Sequence, residues 1–165
     1  MLVRSFLAVA ATVPPPGNAA ERRARLKANK TLVSEAKLEG AWYDDQKKAV
    51  LGFLTETEQL LWLCRCCRRG EMFRSVAFLV TTEQVVWCKQ AAFGSAQPDK
   101  ILTAHIKKVE RIDGGFKVRG PGNFEAAFTG FTGGGHDLVG PGVSFAADEV
   151  LALLRALVER RRAAA

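Results

Sequence analysis

An antiparallel α+β domain is the fold class this sequence predicts, and three observations carry it. From Glu58 onward, short apolar runs recur at strand spacing with turn residues between them. Those runs are rich in Val, Phe, Trp and Cys, which fit a pleated surface, and are too short for ordinary helices. After the last of them comes one strongly amphipathic stretch that ends the chain. The 165 residues are 48% hydrophobic and 25% charged, enough for one domain with a real core plus an extension.

The N-terminal part differs in kind from the rest. Met1 to Val13 is apolar with Arg4 as its only charge, and Pro14, Pro15, Pro16 and Gly17 forbid a helix running through them. Residues 1–18 therefore read as a flexible leader or a targeting segment. A secretory signal has an indifferent cleavage site here, and the lack of acidic residues before Glu21 permits an organellar presequence. Residues 19–53 read as a basic helical extension. Ala19 to Glu39 has helix-forming composition, with Leu26, Val33 and Leu38 as a thin apolar stripe, so this helix is expected either to pack across the outside of the domain or to reach toward a partner. Trp42 and Tyr43 are candidate anchors of the extension, and Asp44 is a candidate cap for a second short helix through Phe53.

Residues 54–162 form the expected domain. Leu60 to Cys67 is the first strand. Arg68, Arg69, Gly70 and Glu71 separate it from Met72 to Val80, and Thr81 to Gln84 turn into Val85 to Lys89, giving a three-strand meander. Lys100 to His105 and Lys107 to Ile112 are the fourth and fifth strands. Gly114 and Gly115 turn into Phe116 to Arg119, and Phe124 to Phe131 and a short Val143 to Phe145 supply the remaining pairing. In the terminal helix, Val150, Leu151, Leu154, Leu157 and Val158 gather on one face, with Asp148 and Glu149 in the first turn and Arg160, Arg161 and Arg162 at the end. Its apolar face must cover the open end of a strongly bent sheet.

Four cysteines are present, at Cys64, Cys66, Cys67 and Cys88. Strand alternation puts Cys64 and Cys66 on one face and Cys67 on the other, which suits packing better than a tetrahedral metal site. No metal or other cofactor is expected. A reducing compartment fits this cysteine usage, with one bridge from Cys64 or Cys66 to Cys88 left open.

The Leu54-Thr-Glu-Thr-Glu58 lead-in, the Phe78 to Trp87 hairpin, the Lys100 to Glu110 strand–break–strand and the closing Phe145 to Val158 helix together resemble the pleckstrin-homology-like superfold, in its compact bacterial-type and GRAM-like versions. The resemblance covers about Leu54 to Arg162 and is one of topology. It implies an antiparallel β-barrel of about seven strands capped by a C-terminal α-helix, and a non-catalytic adaptor that binds phosphoinositide-type head groups or a protein partner. Lipid-binding members use basic residues around the first hairpin, and Arg65, Arg68, Arg69, Arg74 and Lys89 occupy comparable places here, although they depart from the spaced basic signature of strong inositol-phosphate binders.

Charge points the same way. A net charge of +7 and a pI near 9.5 favour anionic partners. Several guanidinium groups on adjacent strands can form multiple charge-assisted bonds to phosphate or carboxylate oxygens; the plain alternative is a solvated hairpin rim. The expected partners are an anionic phospholipid surface or an acidic protein. Two other readings stay open: an architectural docking subunit of a larger assembly, and an RNA-binding accessory protein using Arg22, Arg23, Arg25, Lys27 and Lys30. Against RNA, the aromatics Trp62, Phe73, Phe78 and Trp87 sit in runs that look core-directed rather than free to stack on bases. No segment is long enough to span a bilayer, so the expected location is cytoplasmic, with peripheral membrane attachment. Gly130, Gly133, Gly134 and Gly135 lack the GK[ST] and helix of a phosphate loop, and His105 and His136 have no nucleophile or paired carboxylates around them, so no enzyme is expected.

Overall fold

A computed structural model describes residues 16–35, 41–68, 75–89, 96–132 and 147–165. The leader to residue 15, residues 36–40, Arg69 to Arg74, the Gly133 to Asp137 segment and the expected strand at Val143 to Phe145 lie outside the described residues.

Helix α1 (Ala19–Glu35) starts where the prolines end. The Asn18 Oδ1 accepts from the Glu21 amide at 2.9 Å, while the Glu21 carboxylate reaches back to the Gly17 amide at 2.6 Å, so two otherwise unpaired amides are satisfied by a capping-box exchange. Its stripe is thin, as expected, but is completed by a polar residue: Asn29 and Val33 are buried, with Leu26 and Leu32 half-buried beside them. Helix α2 (Ala41–Leu51) begins one turn earlier than the sequence reading placed it. Asp44 therefore lies inside the first turn, a position acidic residues also favour, and does not precede the helix as its cap.

Seven strands follow: β1 (Leu60–Arg68), β2 (Ser75–Thr81), β3 (Gln84–Lys89), β4 (Gln97–Leu102), β5 (Lys108–Ile112), β6 (Gly115–Arg119) and β7 (Glu125–Thr132). All pair antiparallel in one sheet of order β4-β3-β2-β1-β7-β6-β5, so β4 and β5 form its two edges. The fourth strand departs from its expected bounds. Pro98, which has no N–H to donate, is accommodated on an edge strand, opposite Cys88. Thr103 then turns the chain, its amide and hydroxyl both donating to the Glu83 carbonyl, at 2.8 and 3.0 Å, and Thr103–His105 form a 3-10 helix instead of the end of a strand.

The sheet curls far enough to bring distant strands into ring contact. Three strand spacings, about 14 Å on a flat sheet, separate β3 from β7 and β2 from β6. Yet the Trp87 and Phe128 ring centroids are 5.2 Å apart, and those of Phe78 and Phe116 are 5.9 Å apart, in edge-on arrangements. A bulge where β1 shifts register between Leu60 and Trp62 allows Leu61 and Trp62 both to join the interior. Helix α3 (Ala147–Ala164) closes the concave side. All five expected residues of its apolar face are buried, together with Leu153, and the Arg155 and Arg162 guanidiniums donate to the Val109 and Lys107 carbonyls of the β5 edge, at 3.4 and 2.6 Å.

The curled interior, from Trp62, Phe78, Trp87, Phe116 and Phe128 to the α3 leucines, is one of two cores. On the other face of β1 to β3, Leu60, Leu63, Ala77, Leu79, Val86 and Cys88 pack under α1 and α2 against Val33, Val50 and Leu54. These strands are apolar on both sides because both sides are covered. Among the described residues, the β5 and β6 strands have no such second cover and read as alternating.

Candidate anion-binding rim

Strand register gathers the described members of the basic set at one end of the sheet. Arg65 pairs with Ala77 of β2 and with Thr132 of β7, and Arg68, the last residue of β1, pairs with Phe128 of β7. Lys89 ends β3, opposite Gln97. Continued by two residues, the β2–β3 register that matches Phe78 with Trp87 sets Lys89 level with Val76, itself paired with Cys66 between the two arginines. Three backbone positions thus lie within two strand spacings, about 10 Å. Arg69 and Arg74 belong to the connection between Arg68 and Ser75 and lie outside the described residues. The paired neighbours differ in setting: Ala77 belongs to the helix-covered core, Phe128 to the curled interior.

The opposite end of β1 is held by buried polar groups that sequence reading did not single out. Glu58 is buried just ahead of the strand. Its carboxylate accepts from the Thr55 amide, the Thr81 hydroxyl and the Gln84 side-chain amide, which is 2.9 Å from each oxygen. Gln84 also donates to the Phe53 carbonyl at 2.7 Å. Asn29 on α1 donates to the Glu58 carbonyl at 2.8 Å and accepts from the Leu60 amide at 3.1 Å. On α2, the buried Gln46 accepts from the Ala77 amide of β2 at 2.6 Å. No sequence signal flags these residues, because a polar letter in a lead-in, a turn or a helix is ordinarily solvated. Together they lock both helices to the sheet, Glu58 and Asn29 at the far end of β1 and Gln46 opposite Arg65.

On β5 to β7 the cations Lys108, Lys117 and Arg119 are engaged with carboxylates, whereas Lys100 on β4 lies over the Phe53 ring at 5.1 Å. Glu110 bridges Lys108 at 2.6 Å and Arg119 at 3.0 Å, and Glu125 meets Lys117 and Arg119, both at 3.3 Å. The Lys108 hydrogen bond, helped by Arg119 and Lys117, holds the Glu110 carboxyl below its ordinary value despite some desolvation. This face of β5 to β7 is a mixed-charge lattice, not a free cationic patch.

The cysteines settle as packing residues. All four are free; Cys64 and Cys66 lie in the curled interior and Cys88 in the helix-covered core, so the sheet itself stands between the partners of the bridge left open by the sequence. Burial pushes the Cys64 thiol up to about 12, partly offset by a hydrogen bond with Trp62, and the Cys88 thiol up to about 11. Cys66 is raised as well, by burial and by its cysteine neighbours. Among the described residues, no cluster of His, Cys, Asp and Glu could hold a metal ion, and no helix is long and apolar enough to cross a membrane. Trp62, Phe78 and Trp87 are buried, which removes them as stacking platforms, while Phe73 lies outside the described residues. His105 is exposed at the end of the 3-10 helix; His136 also lies outside the described residues.

No protein-family model matches this chain, and no curated protein matches it at a significant level. Among solved structures, the chain is similar to the crystal structure of an N-terminally truncated linker-DH/PH fragment of p115-RhoGEF, with a TM-score of 0.43 and 7% identity. The match covers 98% of this chain and 41% of that one. A likeness of that degree assigns neither family nor activity; the α+β architecture rests on the strand order and closing helix described above.

Proposed function

We propose that this protein is a non-catalytic, pleckstrin-homology-like binding module that meets anionic surfaces, phosphoinositide-type head groups foremost, through Arg65, Arg68, Arg69, Arg74 and Lys89. The observation that carries the reading is the register, which brings the ends of β1 and β3 and the start of β2 together at one end of the sheet. Cationic side chains at the ends of β1 and β3 and in the connection to β2 can engage phosphate or carboxylate oxygens through several charge-assisted bonds, and packing on both sheet faces fixes the backbone of Arg65, Arg68 and Lys89. Attraction to acidic surfaces adds to this through the +7 net charge. The role is that of a cytoplasmic adaptor or peripheral membrane module.

Flotation with phosphoinositide-containing, phosphatidylserine-containing and neutral vesicles tests it. Replacing Arg68, Arg69 and Arg74 together by Ser should weaken binding to the anionic vesicles by about a hundredfold, at about 1 kcal/mol per basic residue near an anionic surface. Thermal unfolding should stay nearly unchanged. Unaltered vesicle binding in that variant rejects the rim as the site.

A further inference from the structure

The exposed side of α1 carries a second, differently built cationic surface. Arg23, Lys27 and Lys30 are exposed and recur at steps of four and three residues, so they share one face of the helix along about 10 Å of its axis. No ion pair with a carboxylate engages any of the three among the described residues, in contrast to the neutralised lattice on β5 to β7, or to Arg22 on the same helix, which lies 3.8 Å from Glu56. They share an open face of the helix with Leu26, Thr31 and Ser34, and Glu35 lies at its end. Leu26 is half-buried and packs on the helix-covered core, and its remaining exposed part gives this face an apolar contact beside its charges.

We infer that this face of α1 docks an acidic amphipathic helix of a protein partner, with carboxylates at helical spacing set against Arg23, Lys27 and Lys30 and an apolar side chain against Leu26. Charge complementarity fixes the sign of the occupant. The spacing fixes its form, because acidic residues at steps of three and four on a facing helix meet the cations one to one. Membrane insertion is disfavoured: among the described residues the single large apolar side chain counted as exposed is Leu102, on β4. Base stacking is disfavoured too, since none of the described residues lining this face is aromatic. The helix itself is fixed from below by Asn29 and Val33, so the docking face is presented on a rigid support.

Fluorescence anisotropy with the full chain tests the inference, using a labelled synthetic helical peptide carrying Glu at positions i, i+4 and i+7 with a flanking Leu, and a second peptide of the same composition with that spacing scrambled. The patterned peptide should bind at least about tenfold more tightly than the scrambled one, and Lys27→Glu with Lys30→Glu should remove that preference, as several aligned exposed pairs each contribute a fraction of a kcal/mol to 1 kcal/mol. Lys27→Gln with Lys30→Gln should weaken it less, with helix content unchanged by circular dichroism in both variants. The Arg68, Arg69 and Arg74 to Ser variant should bind the peptide as the parent does, which separates this surface from the rim. Equal binding of both peptides, preference for a single-stranded RNA oligonucleotide or for anionic vesicles that depends on Lys27 and Lys30, or indifference to the charge reversal would each overturn the assignment.

Discussion

At the scale of single residues, burial decides which polar and reactive groups have consequences. Glu58 keeps a carboxylate in the interior because an amide, a hydroxyl and a Gln side chain all donate to it, and an unmatched group there would cost about 1 to 3 kcal/mol for each lost partner. Cys64 shows the same physics in a titratable thiol. Its folded-state value of about 12 lies above the unfolded value of 9.0, so the contribution is fully present below about pH 9 and is lost as pH rises toward 12, when the unfolded chain gains from ionising and the folded one cannot. Comparison of urea unfolding at neutral pH and near pH 10.5 should show Cys64→Ala losing about 2 kcal/mol less stability on alkalinisation than the parent. An equal loss in both proteins would mean that Cys64 ionises freely in the fold. The sequence names Cys64 among the cysteines and Glu58 in the lead-in, but neither a residue's depth of burial nor its partners are written in its type.

At the scale of elements, the strands, the turns and the last helix were largely legible. Alternation, apolar runs and Gly-containing turns are local, and they located β1, β2, β3, β5, β6, β7 and α3 to within a few residues. What escaped is what depends on a neighbour: the end of β4, set by the bonds from Thr103 to Glu83, and the start of α2. The β5–β6 turn offers a measurable contrast. Gly114 has φ of 72° with open space around it, whereas a Cβ on Gly115 would lie 1.9 Å from the Phe128 carbonyl oxygen of β7. Gly114→Ala should therefore cost about 1 to 2 kcal/mol of left-handed strain, while Gly115→Ala must displace β6 from β7 and should cost more, by chemical denaturation. Equal costs would show that the β6–β7 approach is looser than the register implies.

At the scale of the whole molecule, the extension is part of the packing. The sequence separates residues 19–53 from 54–162 on composition, and the thin stripe of α1 leaves open whether that helix packs on the domain or reaches toward a partner. Its depth of engagement is another matter: Val33 and Val50 are fully buried, and Asn29 bonds to both sides of the entry to β1. Removing residues 1–35 should uncover the part of this core that α1 covers, around Val33, lower the melting temperature by several degrees and raise binding of a hydrophobic dye, because Leu and Val side chains would be returned to water. A truncated chain that melts as the parent does, without dye binding, would show that the sheet and α2 hold together without α1.

The candidate rim divides along the same line. The sequence names its basic residues, but only pairing across β1, β2 and β3 sets Arg65, Arg68 and Lys89 at one end of the sheet. By itself the sequence determined the antiparallel class, most element positions and the apolar face of the last helix, because these follow from short-range periodicity that any stretch of chain carries with it. Tertiary structure alone decided that the sheet curls until Trp87 meets Phe128, that β1 to β3 are covered on both faces, and that Glu58 and Asn29 fasten the helices, because each joins residues far apart in the chain whose proximity no local pattern encodes.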